Sequence, residues 1–156
     1  MKRIYLVMLL LSFCVLGAKA QAQSSERTVT EGSVWRINYY KIKPGKADDH
    51  AKWLREYRMR ILDGQKQAGL IMNYVFFNKP VIDGADDWDV MEAVEYKNYA
   101  DALDYSADRS KKNEDVSLKV FGTVENRKKV WAELRDASRD LITSQIVREM
   151  VIKPMN

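Results

Sequence analysis

The sequence predicts an α+β domain in which helices cover a four-stranded antiparallel sheet. Strand-like and helix-like segments follow each other in the order βαββ, then helices, then β. The predicted strands carry apolar or aromatic groups on both faces, which is typical of strands that are covered on both sides. No linker, internal repeat or low-complexity tract divides residues 33–156. We therefore expect one domain over residues 33–156.

Residues 1–20 have the organisation of a cleaved secretory signal peptide. Lys2 and Arg3 precede an apolar run at residues 4–16, and an A-x-A cleavage motif ends at Ala20. We therefore expect an exported protein, periplasmic or secreted. A membrane anchor is the alternative, but the apolar run is shorter than the roughly 20 residues that span a bilayer.

Removal of this leader changes the charge and the thiol content of the chain. Three of the 26 basic residues lie in the leader, so the mature chain keeps 23 against 22 acidic residues, a net charge of +1. Nucleic acid is not an expected partner, because phosphate binding needs a concentrated basic surface. Cys14, whose lipidation Phe13 disfavours, leaves with the leader, so no disulfide is possible. Residues 21–32 are polar and are expected to form a flexible lead.

The first strand and the first helix follow this lead. Val34–Lys43 is rich in β-branched and aromatic residues and is closed by Pro44-Gly45, a pattern that predicts a strand. Ala47–Ala68 has apolar residues at intervals of three, four or seven and acidic residues in its first turn. With Gly69 as a stop, this segment is predicted to be a helix.

Periodicity and turn residues assign the remaining elements. Two short apolar runs bounded by turn residues predict strands, and an amphipathic stripe near the end of the chain predicts a long helix. In order, the assignments are strands at Ile71–Asn78 and Trp88–Tyr96, a short helix at Asn98–Tyr105, a polar loop at Ser106–Asp115, a helix at Val124–Ile142 and a strand at Gln145–Lys153.

This order resembles the dimeric α+β barrel superfamily, which includes antibiotic-biosynthesis-type monooxygenases and NIPSNAP-like proteins. The segments that carry the resemblance are "WRINYYKIKPGK", "HAKWLREYRMRIL", "NYVFFN" and "DWDVMEAVEYKNYADAL". The resemblance implies a ferredoxin-like βαββ(α)αβ domain with a four-stranded antiparallel sheet. It also implies a homodimer, in which a second copy covers the free sheet face, and a cavity between each sheet and its own helices.

The haem-degrading members of this superfamily use an asparagine, a tryptophan and a histidine that binds iron on the second main helix. Asn38 and Trp88 match the first two loosely, but no histidine follows His50. We therefore expect no haem and no other cofactor. One histidine without cysteine also excludes the usual zinc sites, and the acidic loop at residues 83–89 lacks the frame of a calcium loop.

His50 and Tyr57 are the candidate catalytic residues. His50 shares one helical stripe with Trp53 and Tyr57, at offsets of three and seven residues. A histidine in a pocket serves as a general base near neutral pH. A half-exposed histidine at the edge of a packed helix, hydrogen-bonded to a neighbour or to water, is the alternative, and the lack of a predicted partner favours it.

Polar groups on the predicted strands are the candidate ligand-binding residues. The first strand carries three of them on one face: Arg36, Asn38 and Tyr40. On the third strand, Glu92 shares a face with Trp88. One interpretation is that these groups orient a ligand in an apolar cavity. The other is that Arg36 and Glu92 form a structural ion pair. The cost of leaving a buried charge unpaired favours the ion pair. The ligand-binding set is Arg36, Asn38, Tyr40, Trp53, Trp88 and Glu92.

Three functions are compatible with this sequence. The first is an exported homodimer that binds an aromatic or apolar small molecule and has no membrane partner after cleavage. The second is a cofactor-independent monooxygenase-like or isomerase-like enzyme in which His50 or Tyr57 handles a proton. The third is a structural or stress-related dimer without a ligand. Serine hydrolases and P-loop proteins are excluded, because neither a G-x-S-x-G elbow nor a complete P-loop is present.

Overall fold

The computed structural model describes residues 29–80, 84 and 87–152. The predicted signal peptide and residues 21–28 of the predicted lead lie outside the described residues. The chain divides into two units, one of Glu31–Val151 and one of Met1–Thr30 with Ile152–Asn156. The larger unit contains the helices and most of the sheet.

Four strands and four helices form the described part of the chain. The strand order in the sheet is β2-β3-β1-β4, so β3 and β1 are central and β2 and β4 are the edges. The bounds are β1 at Val29–Ile42, α1 at residues 47–67, β2 at Asn73–Asn78, β3 at Val90–Tyr96, α2 at Tyr99–Leu103, α3 at Ala107–Phe121, α4 at Val124–Val130 and β4 at Arg139–Ile152. A π-helical turn interrupts α1 at Leu54–Arg58, and another extends α4 over Trp131–Asp136.

The strands are antiparallel, as the sequence predicted. In β1 and β3, Asn38 is opposite Glu92, and β2 pairs with the other side of β3. The start of β1 lies beside the end of β4, where Ser33 Oγ donates to a carboxylate oxygen of Glu149 at 3.2 Å. This order of antiparallel strands, with helices between them in the chain, is the ferredoxin-like topology, and the predicted fold class is confirmed.

The two faces of the sheet differ in what covers them. Residues directly opposite each other share a face, so Asn38, Glu92 and Phe76 lie on one side. Leu62 of α1 packs against Val94 on this same side, which we call the helix face. The opposite side, the open face, carries mainly apolar side chains of β1, β2 and β3: Trp35, Ile37, Tyr39, Val75, Phe77, Met91 and Ala93.

A second cluster of buried side chains holds the helices to one another. Trp53 of α1 packs against Phe121 of α3, and Val130 of α4 completes the group. Tyr57 and Phe121 stack with their ring centroids 5.3 Å apart. This aromatic packing holds α1 against α3 and so fixes the position of the helices relative to one another.

The predicted loop at Ser106–Asp115 is wrong, because this segment begins α3. Ser106 caps the helix by accepting a hydrogen bond from Arg109 N at 3.4 Å. The first turns of α3 are polar because they are largely exposed, whereas Val116 and Phe121 near its end are buried. The apolar stripe therefore starts too late in the helix for periodicity to reveal its first two turns.

Two strand bounds also differ from the prediction. The helix predicted at Val124–Ile142 ends before Arg139, where the longer β4 begins, and Leu141 and Ile142 are exposed on this edge strand. Strand β1 begins at Val29, so residues 29–32 belong to the sheet and not to the lead. Pairing between two 14-residue strands explains both differences, since neither end is visible in local composition.

Candidate functional site

A cavity of about 460 Å³ lies between the helix face of the sheet and the helices. Asn38, Tyr40 and Glu92 form its sheet wall, and Trp53 and Trp131 contribute aromatic rings from α1 and α4. This volume is within the range of small-molecule sites, which are commonly 300–1,000 Å³. A second cavity of about 440 Å³, between α1 and α3, is lined by no aromatic side chain of the described residues.

An ion pair stands at the centre of the sheet wall. The guanidinium of Arg58 donates to both carboxylate oxygens of Glu92, with Nε to Oε2 and Nη2 to Oε1 both at 2.7 Å. Burial alone would raise the pKa of Glu92, but the charge and hydrogen bonds of Arg58 outweigh it and hold that pKa below its usual range. Glu92, which is fully buried, is therefore ionised and is not a proton donor at neutral pH.

Asn38 extends this pair towards the edge strand. Its amide Nδ2 donates to Glu92 Oε1 at 3.4 Å, and its Oδ1 accepts from Ser144 Oγ of β4 at 2.7 Å. The side-chain orientations of β3, β1 and β4 are thus coupled across the cavity wall. Such fully connected polar groups are fixed before any ligand arrives.

Arg139, at the start of β4, lies over two aromatic rings of the cavity. Its guanidinium carbon is 3.8 Å from the ring centroid of Tyr40 and 5.8 Å from that of Trp53. Its Nη1 is buried without a hydrogen-bond partner, and no carboxylate among the described residues pairs with it. Burial lowers the pKa of Arg139, Tyr40 and Glu92 oppose that effect, and the neighbouring Arg58 and Arg135 add to it.

Tyr40 keeps its proton in this environment. Burial raises the pKa of its phenol, the negative charge of Glu92 raises it further, and the arginines nearby offset only part of the effect. The hydroxyl is therefore neutral at physiological pH. Tyr40 offers a ring face that stacks and a hydroxyl that both donates and accepts hydrogen bonds.

The structure brings four of the six predicted ligand-binding residues together. Asn38, Tyr40, Trp53 and Glu92 all line the cavity of about 460 Å³. This agrees with the alternation on the first strand, because Asn38 and Tyr40 lie on the helix face. What these residues bind stays a prediction.

Arg36 and Trp88 lie elsewhere. Arg36 lines a smaller cavity of about 180 Å³, donates to the carbonyl oxygen of Ala102 and lies over the Tyr96 ring at 5.7 Å. The predicted ion pair of Arg36 and Glu92 is wrong, since the register places Arg36 opposite Val94 and Arg58 holds Glu92.

Trp88 is on the other side of the sheet. Its ring meets Tyr39 edge-on, with centroids 5.6 Å apart, and Tyr39 belongs to the open face. Strand β3 begins only at Val90, so the strict alternation of the strand does not extend to Trp88. The predicted grouping of Trp88 with Glu92 is therefore wrong.

His50 is buried and does not line the cavity. Only 3% of its surface is exposed, and neither ring nitrogen has a hydrogen-bond partner. Burial lowers the pKa of His50 to about 4, and the positive charge of Arg139 contributes to this shift. The predicted half-exposure of His50 is wrong, because the helix packs it inward as a neutral ring.

Tyr57 belongs to the packing between helices. Its ring stacks on Trp53 and on Phe121, with centroid distances of 6.0 and 5.3 Å, and it is absent from the cavity lining. The π-helical turn at Leu54–Arg58 explains this position, because such a turn adds about one residue to the helical repeat. The residue that reaches the sheet is consequently Arg58.

The sequence interpretation missed the basic residues of the cavity. Arg58 is one position beyond the predicted stripe, and Arg139 was assigned to a helix instead of β4. One signal was available for Arg58: a glutamate on a buried strand requires a cation on the element that covers it. No comparable signal pointed to Arg139, because its role depends on the long-range pairing of β4 with β1.

Strand order and cavity together define a ferredoxin-like α+β protein with a pocket beneath its helices. No protein-family model matches the chain, and no curated protein matches it. The chain is similar to the solved structure of a dimeric ferredoxin-like protein from an uncultured marine organism. The identity is 12%, the match covers 81% of this chain and 93% of that chain, and the TM-score is 0.41. The ferredoxin-like topology follows from the strand order of this chain itself.

Two further findings concern partners. In the described part of the chain, no helix is long and apolar enough to cross a membrane. Within the same residues, no group of three or more histidine, cysteine, aspartate or glutamate side chains is arranged to hold a metal ion.

Proposed function

We propose that this protein is an exported homodimer that binds a small molecule with an aromatic body in the cavity beneath its helices. The observation that carries the proposal is the cavity of about 460 Å³, walled by Tyr40, Trp53 and Trp131. Aromatic walls favour a planar apolar body, because stacked and edge-on ring pairs stabilise beyond simple burial.

The walls of the cavity support binding without rearrangement. The Arg58–Glu92 pair and the Asn38–Ser144 hydrogen bond already fix the sheet wall. A preorganised site loses less conformational freedom when it binds a ligand. The enzymatic alternative has no comparable support, since His50 and Tyr57 do not line the cavity.

Native mass spectrometry of the protein purified from its own exporting host tests the binding function first. We expect extra mass on the folded protein, or binding of a two-ring aromatic probe, 2-naphthoate or 2-naphthamide, in isothermal titration calorimetry. Asn113→Trp, which fills this cavity from α3, should abolish binding. The matched control is Gln67→Trp, which lies in the cavity of about 440 Å³ and should bind as the unsubstituted protein does.

Failure of both experiments would overturn the binding function. If no mass is carried from the host and neither probe binds, the structural or stress-related dimer becomes the better interpretation. Binding that survives Asn113→Trp but not Gln67→Trp would move the site to the other cavity. Circular dichroism of both variants verifies that they are folded.

The homodimer is proposed from the open face of the sheet. An antiparallel sheet with one solvated face normally alternates apolar and polar residues, yet this face is mainly apolar over three strands. Phe77 remains 48% exposed, and β4 exposes further apolar side chains, including Leu141 and Val147. Large exposed apolar patches mark protein interfaces, and a second copy of the same sheet is self-complementary under two-fold symmetry.

Analytical ultracentrifugation tests this assembly. We expect a dimer for the unsubstituted protein and a folded monomer for Phe77→Glu, because a carboxylate buried in an apolar interface stays unpaired. Tyr105→Glu is the control: Tyr105 is 85% exposed between α2 and α3, so its substitution should leave the dimer intact. A monomer at all concentrations for the unsubstituted protein would refute the assembly.

Export is proposed from the sequence of residues 1–20. The basic start, the apolar run and the A-x-A motif together fit recognition and cleavage by a signal peptidase. Intact-mass measurement of the protein from its host should give a chain that begins at Gln21. A mass that includes residues 1–20 would contradict cleavage.

A further inference from the structure

The cavity has more positive than negative charge. Four arginines line it, at positions 58, 127, 135 and 139, and only two carboxylates do, those of Glu92 and Glu114. Both carboxylates already have a partner, because Glu92 pairs with Arg58 and Glu114 pairs with Arg127. The lining thus keeps two cationic charges that its own carboxylates do not neutralise.

Those two charges lie near each other, because Arg135 and Arg139 also line a neighbouring cavity of about 280 Å³ together. Arg135 is bonded to Asp136, its neighbour in the chain, which is exposed and outside the cavity lining. Arg139 has no carboxylate partner among the described residues, and its Nη1 is both buried and unbonded. The guanidinium of Arg139, which lines the cavity, therefore keeps a charge that no carboxylate of the described residues neutralises, and this charge favours an anion supplied from outside the chain.

The guanidinium of Arg139 is also held in a defined orientation. Its stacking on Tyr40 at 3.8 Å, with the Trp53 ring centroid also within 5.8 Å, restricts the orientation of the group. A planar guanidinium presents two parallel N–H donors, the geometry that matches a carboxylate. The same rings border the space that the body of a ligand would occupy.

We infer that the ligand of this cavity is an aromatic carboxylate, whose ring lies against Tyr40 and Trp53 and whose carboxylate accepts hydrogen bonds from Arg139. This inference rests on the proposed small-molecule function and adds the charge of the ligand to it. Arg58 is not the anchor, since both its hydrogen bonds to Glu92 are already made.

Isothermal titration calorimetry with 2-naphthoate and 2-naphthamide separates charge from shape. The two probes share the same ring system and differ in whether the terminal group is an anion. Hydrogen bonds to charged groups are stronger than neutral ones, so we expect 2-naphthoate to bind about tenfold or more tightly than 2-naphthamide. The preference should shrink as the salt concentration rises, because part of the attraction is electrostatic.

Variants of β4 assign the preference to one side chain. Arg139→Gln should reduce the preference for 2-naphthoate to about twofold or less, and Arg139→Lys should keep part of it through charge alone. Arg148→Gln is the matched control, because Arg148 also stacks on a tyrosine, Tyr99 at 4.2 Å, and does not line the cavity. The control variant should keep the full preference.

Each outcome decides one claim. Equal binding of both probes to the unsubstituted protein overturns the inference about charge and leaves the small-molecule function standing. Binding of neither probe overturns both. A strong preference for 2-naphthoate that Arg139→Gln does not reduce places the anion on another arginine and refutes the assignment to Arg139.

Discussion

The buried imidazole of His50 predicts a specific loss of stability in mild acid. The folded protein holds the pKa of His50 at about 4, against 6.5 for an exposed histidine, because burial and the charge of Arg139 disfavour the imidazolium. Between these two values the unfolded chain binds a proton that the folded protein does not. Stability therefore falls as the pH decreases, by about 1.4 kcal/mol per pH unit, or roughly 3 kcal/mol between pH 6.5 and pH 4.

The substitution His50→Phe removes this titration while keeping an aromatic ring in the same place. Urea unfolding at a fixed protein concentration, repeated from pH 8 to pH 4, gives the free energy of unfolding for both proteins. The difference between them should be constant above pH 7 and should change by roughly 3 kcal/mol in favour of the variant by pH 4. A difference that does not vary with pH would refute the reasoning, because it would mean that His50 titrates alike in both states.

Three further substitutions follow from the contacts described above. Glu92→Gln leaves Arg58 without its charge partner and should cost roughly 3–5 kcal/mol in urea unfolding. Because the pKa of Glu92 is lowered in the fold, its contribution is complete above about pH 4.3 and declines in more acidic solution, so a cost that persists undiminished well below pH 4 would contradict the assignment. Gly64→Ala places a Cβ 2.7 Å from Val116 Cγ1 and should destabilise by about 1–3 kcal/mol. The same change in a Val116→Ala background should cost little, and equal costs in both backgrounds would exclude this clash. Arg139→Met removes an unpartnered buried donor and should stabilise the ligand-free protein by about 1 kcal/mol, whereas a clear loss of stability in thermal unfolding would show that stacking on Tyr40 outweighs that penalty.

Local pattern predicted most of the fold because β1, β2 and β3 each have their own signal in the sequence. The segments of β2 and β3 are apolar runs between turn residues, and their predicted starts are only two residues early. Failures occurred where the structure depends on distant partners. Residues 29–32 and 139–142 are strand because β1 and β4 extend each other, and no local feature of either segment reveals that pairing.

The candidate site was predictable on the sheet and less so on the helices. Alternation along β1 correctly placed Asn38 and Tyr40 on one face, because a strand has a strict period of two. On α1 the period of 3.6 residues fails at the π-helical turn, so Tyr57 takes the position between helices and Arg58 takes the position over the sheet. Because of this one-residue shift, the cavity wall contains the guanidinium of Arg58 and not the phenol of Tyr57.

The polar groups of the cavity region are arranged in a way that stability alone does not explain. Arg58 and Glu92 satisfy each other, so a core built only for stability would have no need for a further buried cation. Yet Arg139 stands beside them with a buried, unbonded Nη1, and its charge helps to keep the pKa of His50 low. Sites that break the rules of polar satisfaction are commonly functional sites. The position of Arg139 in the cavity lining, without a carboxylate partner among the described residues, is therefore the feature that supports the anion-binding role proposed for it above.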